Sequence, residues 1–182
     1  MTRTASKQWL RPLALVLAMA ALGAACGGDD AVEVPPGPAG TEPFEVVQGH
    51  TEDPVDYPQS PPVGGIHNPV WQNCGVYREP VENENAVHSM EHGAVWITYA
   101  EDLPAADIET LESKAAGQSY LLVTPYEDLD DPVVLTAWGR QLRLDAADDP
   151  RVDEFIDTFQ EGPQSPELGS SCSGGAGDPI EP

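Results

Sequence analysis

The stretch "DYPQSPPVGGIHNP" (56–69) holds proline or glycine at six of its fourteen positions, and that density limits what the first half of the chain can become. Proline has no backbone N–H to give to a helix or a sheet ladder, and glycine weakens either element. No long helix and no central strand fits there. The surrounding region, 44–93, carries all four histidines with little regular hydrophobic period. It is therefore expected to be a long ordered loop wrapped on a body that the rest of the chain supplies.

That body is written after residue 93. "AVWITYA" (94–100) alternates and is rich in β-branched and aromatic residues, which predicts a strand. "AADIETLESKAAG" (105–117) lines up Ile108, Leu111 and Ala115 on one helical face, with acid early, Lys114 late and Gly117 as the stop. "SYLLVTPY" (119–126) reads as a second strand and "EDLDD" as a hairpin-like turn. "PVVLTAWGRQLRL" (132–144) reads as a long third strand with a bulge at Gly139. "PRVDEFIDTFQEG" (150–162) aligns Val152, Phe155, Ile156 and Phe159 behind a proline and ends in glycine, so it is the clearest helix. The expectation is one small α+β domain over 44–176, with a sheet of about three strands against two helices. Its core should hold Val95, Ile97, Leu111, Leu121, Val123, Val134, Leu142, Phe155 and Phe159.

The N-terminal region gives an address. Arg3, Lys7 and Arg11 precede "LALVLAMAAL" (13–22), an apolar run of about ten residues. A membrane-spanning helix needs about 20, so the run fits a signal-peptide core. It ends in "LGAAC", which resembles a bacterial lipoprotein signal with Cys26 as the lipidated first residue. Residues 1–25 are thus expected to be removed, 26–43 to form a disordered Pro/Gly-rich tether, and 177–182 to be a disordered tail. The expected location is the extracytoplasmic face of the cell membrane, held by a lipid on Cys26.

Charge narrows the partners. All 31 acidic residues follow Cys26, against five basic ones (Arg78, Lys114, Arg140, Arg143, Arg151), so the processed chain would carry 5 − 31 = −26. Nucleic acid and anionic headgroups need clustered Lys and Arg, so binding to nucleic acid is excluded. Cations are favoured.

Two cysteines remain after Cys26. In an oxidising compartment an even pair points to a disulfide, Cys74 to Cys172, closing a loop of about 100 residues worth about 4–5 kcal/mol in the chain-entropy model. The other reading makes Cys74 a thiolate ligand near His67.

"HSMEHG" (88–93) concentrates the chemistry. On a helix, His88 and His92 are four apart and project from one face, within reach of one ion. "ENENAVHSMEHG" suits such a turn, with Asn83 or Asn85 capping and Gly93 ending it. His67, on the Pro/Gly-fixed "GGIHNP", adds a third imidazole, whereas His50 beside the tether is read as solvated. Zinc would accept His67, His88, His92 and Glu91. Met90 is the argument for copper, since a thioether favours Cu(I), although Met90 cannot point the same way as both histidines. A structural reading stands beside this one, in which the same side chains satisfy loop backbone. "HSMEH" also matches the inverted zinc-peptidase pattern H-x-x-E-H, with Glu91 activating water. Those enzymes are larger and carry the pattern on a long helix. No G-x-S-x-G, phosphate loop or cofactor fingerprint competes.

Several blocks in order, "YPQSPPVGGIHNPVWQNCGVY", "VHSMEHGAVWITYAEDLP", "TAWGRQLRL" and "QSPELGSSCSGG", resemble an actinobacterial family of exported proteins, domain of unknown function 3105. The resemblance covers about 44–176. It implies His67, Trp71, Gly75, Tyr77, His88, Glu91, His92 and Gly93 as hallmark positions, supports pairing of the "NCG" cysteine with the closing one, and implies no activity. The leading functional expectation is a cell-envelope lipoprotein that binds a transition metal, copper before zinc, through His67, His88, His92 and Glu91 or Met90. The alternatives are an envelope interaction or structural lipoprotein and, last, a zinc-dependent hydrolase.

Overall fold

Strand β3 (Val95–Ala100) lies inside a six-stranded mixed sheet and pairs with parallel β4 (Leu121–Tyr126) on one side and antiparallel β5 (Val133–Ala137) on the other. These contacts come from a computed structural model, which describes residues 1–2 and 33–180; the expected signal segment, Cys26 and the first part of the tether lie outside them. Residues 33–180 belong to one compact unit. β6 (Arg140–Leu144) extends the sheet beyond β5, and the two-residue β1 (Glu42–Pro43) pairs with β6. The two-residue β2 (Gly75–Val76) closes the other edge, parallel to β4, giving the order β1-β6-β5-β3-β4-β2. Helices α1 (Asn83–Glu91), α2 (Ala105–Lys114) and α3 (Arg151–Phe159) complete the domain.

The sheet is buried on both faces, and β3, β4 and β5 are buried at nearly every position. Val95, Ile97 and Tyr99 alternate onto one face and meet Leu111 of α2 and Val152, Phe155 and Phe159 of α3. Trp96 and Leu122 alternate onto the other, where Ala86, Val87 and Met90 of α1 pack against them with Trp138. The Pro/Gly-rich loop covers the rest of that second face. Gln141 donates to the Pro61 carbonyl (3.0 Å), Gly139 N–H to that of Val63 (2.7 Å), and Arg143 to that of Ser60 (2.9 Å). Loop backbone that has no ladder partner is thus satisfied by the sheet's polar groups.

The α+β class stands, with corrections. Among the described residues the sheet has six strands, not about three, and there are three helices, not two. The expected long third strand is two, β5 and β6, folded back at Trp138–Gly139. Gly139 sits at φ +68°, and a Cβ there would lie 2.9 Å from the Phe44 carbonyl oxygen, so the apparent bulge is a tight turn that needs glycine. "EDLDD" makes no hairpin, because β5 passes over β4 to pair with β3. The expected core residues are all buried, but Val134 faces away from the cluster that holds the others. Neither Asn83 nor Asn85 caps α1: Glu82 occupies the N-cap without a side-chain bond, and Asn85 donates to the Val70 carbonyl (2.6 Å).

The described residues 33–43 and 177–180 include contacts with the body. Val34 packs against the first core cluster and Glu42–Pro43 forms β1. In the tail, Ile180 N–H donates to the Val76 carbonyl (2.9 Å). Cys74 and Cys172 form a disulfide with Cα atoms 5.4 Å apart, 98 positions apart in sequence, which brings the tail to β2.

Candidate functional site

α1 delivers the motif. His88 and Glu91 lie in its last turns and His92 is its C-cap. Gly93 follows at φ +115°, a conformation that stops the helix and turns the chain into β3, with its carbonyl accepting the Glu161 N–H (2.8 Å). The i, i+4 spacing puts the His88 and His92 rings on one face, with centroids 4.6 Å apart. On the opposite side of the helix, Met90 is fully buried in the apolar cluster.

The loop supplies the facing donors. His50 and His67 pair as an isolated parallel bridge: Thr51 N–H donates to the His67 carbonyl (2.8 Å) and His67 N–H to that of Gly49 (3.0 Å). This bridge sets the His50 and His67 rings 4.6 Å apart and brings both within 5.0 Å of the His88 ring. Four imidazoles thus form one contiguous group, with Trp71 against His88 and His92 (5.8 and 5.0 Å) and Trp138 against His67 (5.8 Å).

The hydrogen bonds fix how these rings are used. Nδ1 of His67 lies 2.7 Å from the Gly65 carbonyl, Nδ1 of His88 2.7 Å from that of Asn68, and Nδ1 of His92 2.7 Å from that of Ser171. A carbonyl only accepts, so each Nδ1 carries the hydrogen and each Nε2 lone pair is left for another partner. Metal-binding histidines are held in this way, with the far ring nitrogen donating to a carbonyl or carboxylate.

Donor atoms of His50, His67, His88 and Glu91 lie within 4.8 Å of one another, and so do those of His88, His92 and Glu167. In the first group, Glu91 Oε2 is 2.9 Å from His67 Nε2 and 3.5 Å from His50 Nε2, while Gln48 Nε2 donates to Oε1 (3.0 Å). His67 and Glu91 are sealed, at 0% and 1% side-chain exposure, and His50 stands at the open side with 43%. In the second group, His92 Nε2 is 3.6 Å from Glu167 Oε2; the ring is buried and the carboxylate is 45% exposed. Burial pushes the His88 pKa down, reinforced by the neighbouring His92, His67 and His50 and opposed by its bond to Asn68. Burial thus favours the neutral ring, the form that ligates metal.

The structure therefore divides the expected ligand set. His67, His88 and Glu91 converge, His92 joins His88 in the second group, and Met90 packs in the apolar cluster. Cys74 is in the disulfide and offers no thiolate. His50, read from sequence as solvated, stands among the donors. Glu167 carries no local signal in the sequence, and only the cysteine pair points toward it, because tying Cys172 to Cys74 returns the tail to the neighbourhood of His67. Gln48 had no signal. Both Glu91 oxygens have partners, Gln48 Nε2 on Oε1 (3.0 Å) and His67 Nε2 at Oε2 (2.9 Å).

The family model described as "Protein of unknown function (DUF3105)" matches residues 50–174, and the chain belongs to that family. No curated protein and no solved structure gives a significant match.

Proposed function

Membership of this family brings no activity with it, and from the geometry we propose that the protein binds one divalent transition-metal ion through His67, His88, Glu91 and His50. The carrying observation is the common tautomer. Each of His67, His88 and His92 gives its Nδ1–H to a backbone carbonyl at 2.7 Å, which makes Nε2 the ligating atom of each ring, and His67 and His88 share one donor group with the Glu91 carboxylate. Three imidazoles and one carboxylate suit zinc(II) or copper(II) in a tetrahedral or distorted set, and copper(II) binds such donors more tightly than zinc(II). The thioether argument for copper(I) loses its support with Met90 in the apolar cluster. We also propose the cellular setting that the sequence indicates, a lipid anchor on Cys26 at the outer face of the cell membrane, with metal buffering or delivery as the role. No helix among the described residues is long and apolar enough to cross a membrane. The second reading is a purely structural network, supported by the fact that every anchored ring already ties a loop to the body.

The test is a titration of the full-length chain with copper(II) and zinc(II) at neutral pH, beside His88→Ala. The expected result is about one ion per chain, lost in the variant. A wild-type chain that takes up no ion, while His88→Ala melts earlier, would give the cluster to the structural reading.

A further inference from the structure

The two donor groups share one residue, His88, and that sharing has a chemical consequence. Nδ1 of His88 holds a hydrogen for the Asn68 carbonyl (2.7 Å), so the ring has one lone pair, on Nε2. One lone pair ligates one ion. The neutral imidazole also brings no negative charge to offset two dications a few ångströms apart, and the two carboxylates, Glu91 and Glu167, belong to different groups. We propose that the cluster offers one ion two mutually exclusive positions, an inner one on His50, His67, His88 and Glu91 and an outer one on His88, His92 and Glu167, and that the outer position is where the ion is taken up and given away. This rests on the metal-binding reading above.

Exposure and charge set the direction. The inner position contains the two sealed donors, His67 and Glu91, which favour retention. The outer position ends in Glu167, a half-exposed carboxylate, which is the kind of group that first captures a cation from solvent. The other open donor, His50, has no charge to contribute when neutral. His92 completes the path: its ring lies 4.6 Å from that of His88, and its Nε2 faces Glu167 (3.6 Å). Transfer needs no free ion inside the protein, because His88 holds the metal while Glu167 and His92 are exchanged for His67 and Glu91. Glu167 is itself attached to the inner position, its N–H donating to the Glu91 carbonyl (3.0 Å).

The experiment uses the full-length chain with zinc(II) as the probe, and reads stoichiometry, affinity and the rate at which a coloured chelator removes the ion. Wild type should hold one ion. Glu167→Gln, at a half-exposed position, should still hold one ion but release it about tenfold more slowly. His67→Ala, if folded by its melting curve, should keep one weakly bound ion that His67→Ala/Glu167→Gln does not. Two ions bound together in wild type would overturn the exclusive arrangement, and an unchanged release rate in Glu167→Gln would overturn the outer route; both leave metal binding itself standing. No ion in wild type removes both.

Discussion

The Oε2 atom of Glu91 stands 2.9 Å from Nε2 of His67, and neither side chain is open to solvent. Because Nδ1 of His67 already donates to the Gly65 carbonyl, the facing nitrogen and oxygen would be two acceptors in contact unless a proton or a cation lies between them. The pair therefore requires a hydrogen or a cation between its facing atoms, and its two most direct variants should behave differently.

Glu91→Gln keeps a donor for His67 and should change the stability of the metal-free protein by less than about 1.5 kcal/mol, while lowering zinc or copper affinity. Glu91→Ala leaves the buried His67 Nε2 without its partner and should cost about 3–5 kcal/mol. Urea unfolding of both variants, with and without metal, reads the difference. Equal stabilities would show that the bond to His67 Nε2 contributes nothing to the fold.

Gly93→Ala should destabilise the protein by about 1–3 kcal/mol, because φ +115° is strained for any side chain and a Cβ would lie 3.2 Å from the Glu161 backbone Cα. The loss should be accompanied by weaker metal binding, since the same residue sets the end of α1 at His92. Thermal unfolding and a zinc titration check both.

Replacing Cys74 and Cys172 together with serine should lower stability by about 4–5 kcal/mol in the chain-entropy account of a closed loop of 98 residues' separation. It should also loosen the Ser171 carbonyl that orients His92, so the effect should appear in metal exchange as well as in the denaturant midpoint. A midpoint unmoved by reductant would show that the tail is held by its hydrogen bonds alone.

At the start of α3, Arg151 holds the Asp149 carboxyl below the usual carboxylate range, through side-chain and backbone hydrogen bonds. A depressed folded value means that the unfolded chain binds the extra proton first as the pH falls. The stabilisation is therefore complete above about pH 4 and is lost as the pH drops through the folded value. Asp149→Asn should remove that part of the acid dependence, read as a flatter plot of urea midpoint against pH below about pH 4.

Local pattern was enough for much of this protein. The period-two runs and the amphipathic 150–162 segment placed β3, β4 and α3, because those elements are specified by residues close in sequence that bury one another's neighbours. The i, i+4 spacing likewise put His88 and His92 on one helical face. What local pattern could not show was where the chain turns back. Gly139 has the same letter in a bulge and in a two-residue turn, and only docking of Phe44 and Val63 on its backbone distinguishes them. The site follows the same division. Sequence supplied the helix-borne pair and the suspicion of His67, but His50, Gln48 and Glu167 reach the cluster through a parallel bridge and a disulfide-held tail, contacts that span up to about 100 residues and leave no period to read. Sequence by itself determined which donors exist and which faces they start from; the tertiary structure decided which lone pairs meet, because that depends on loop backbone carbonyls that take up the other side of each ring.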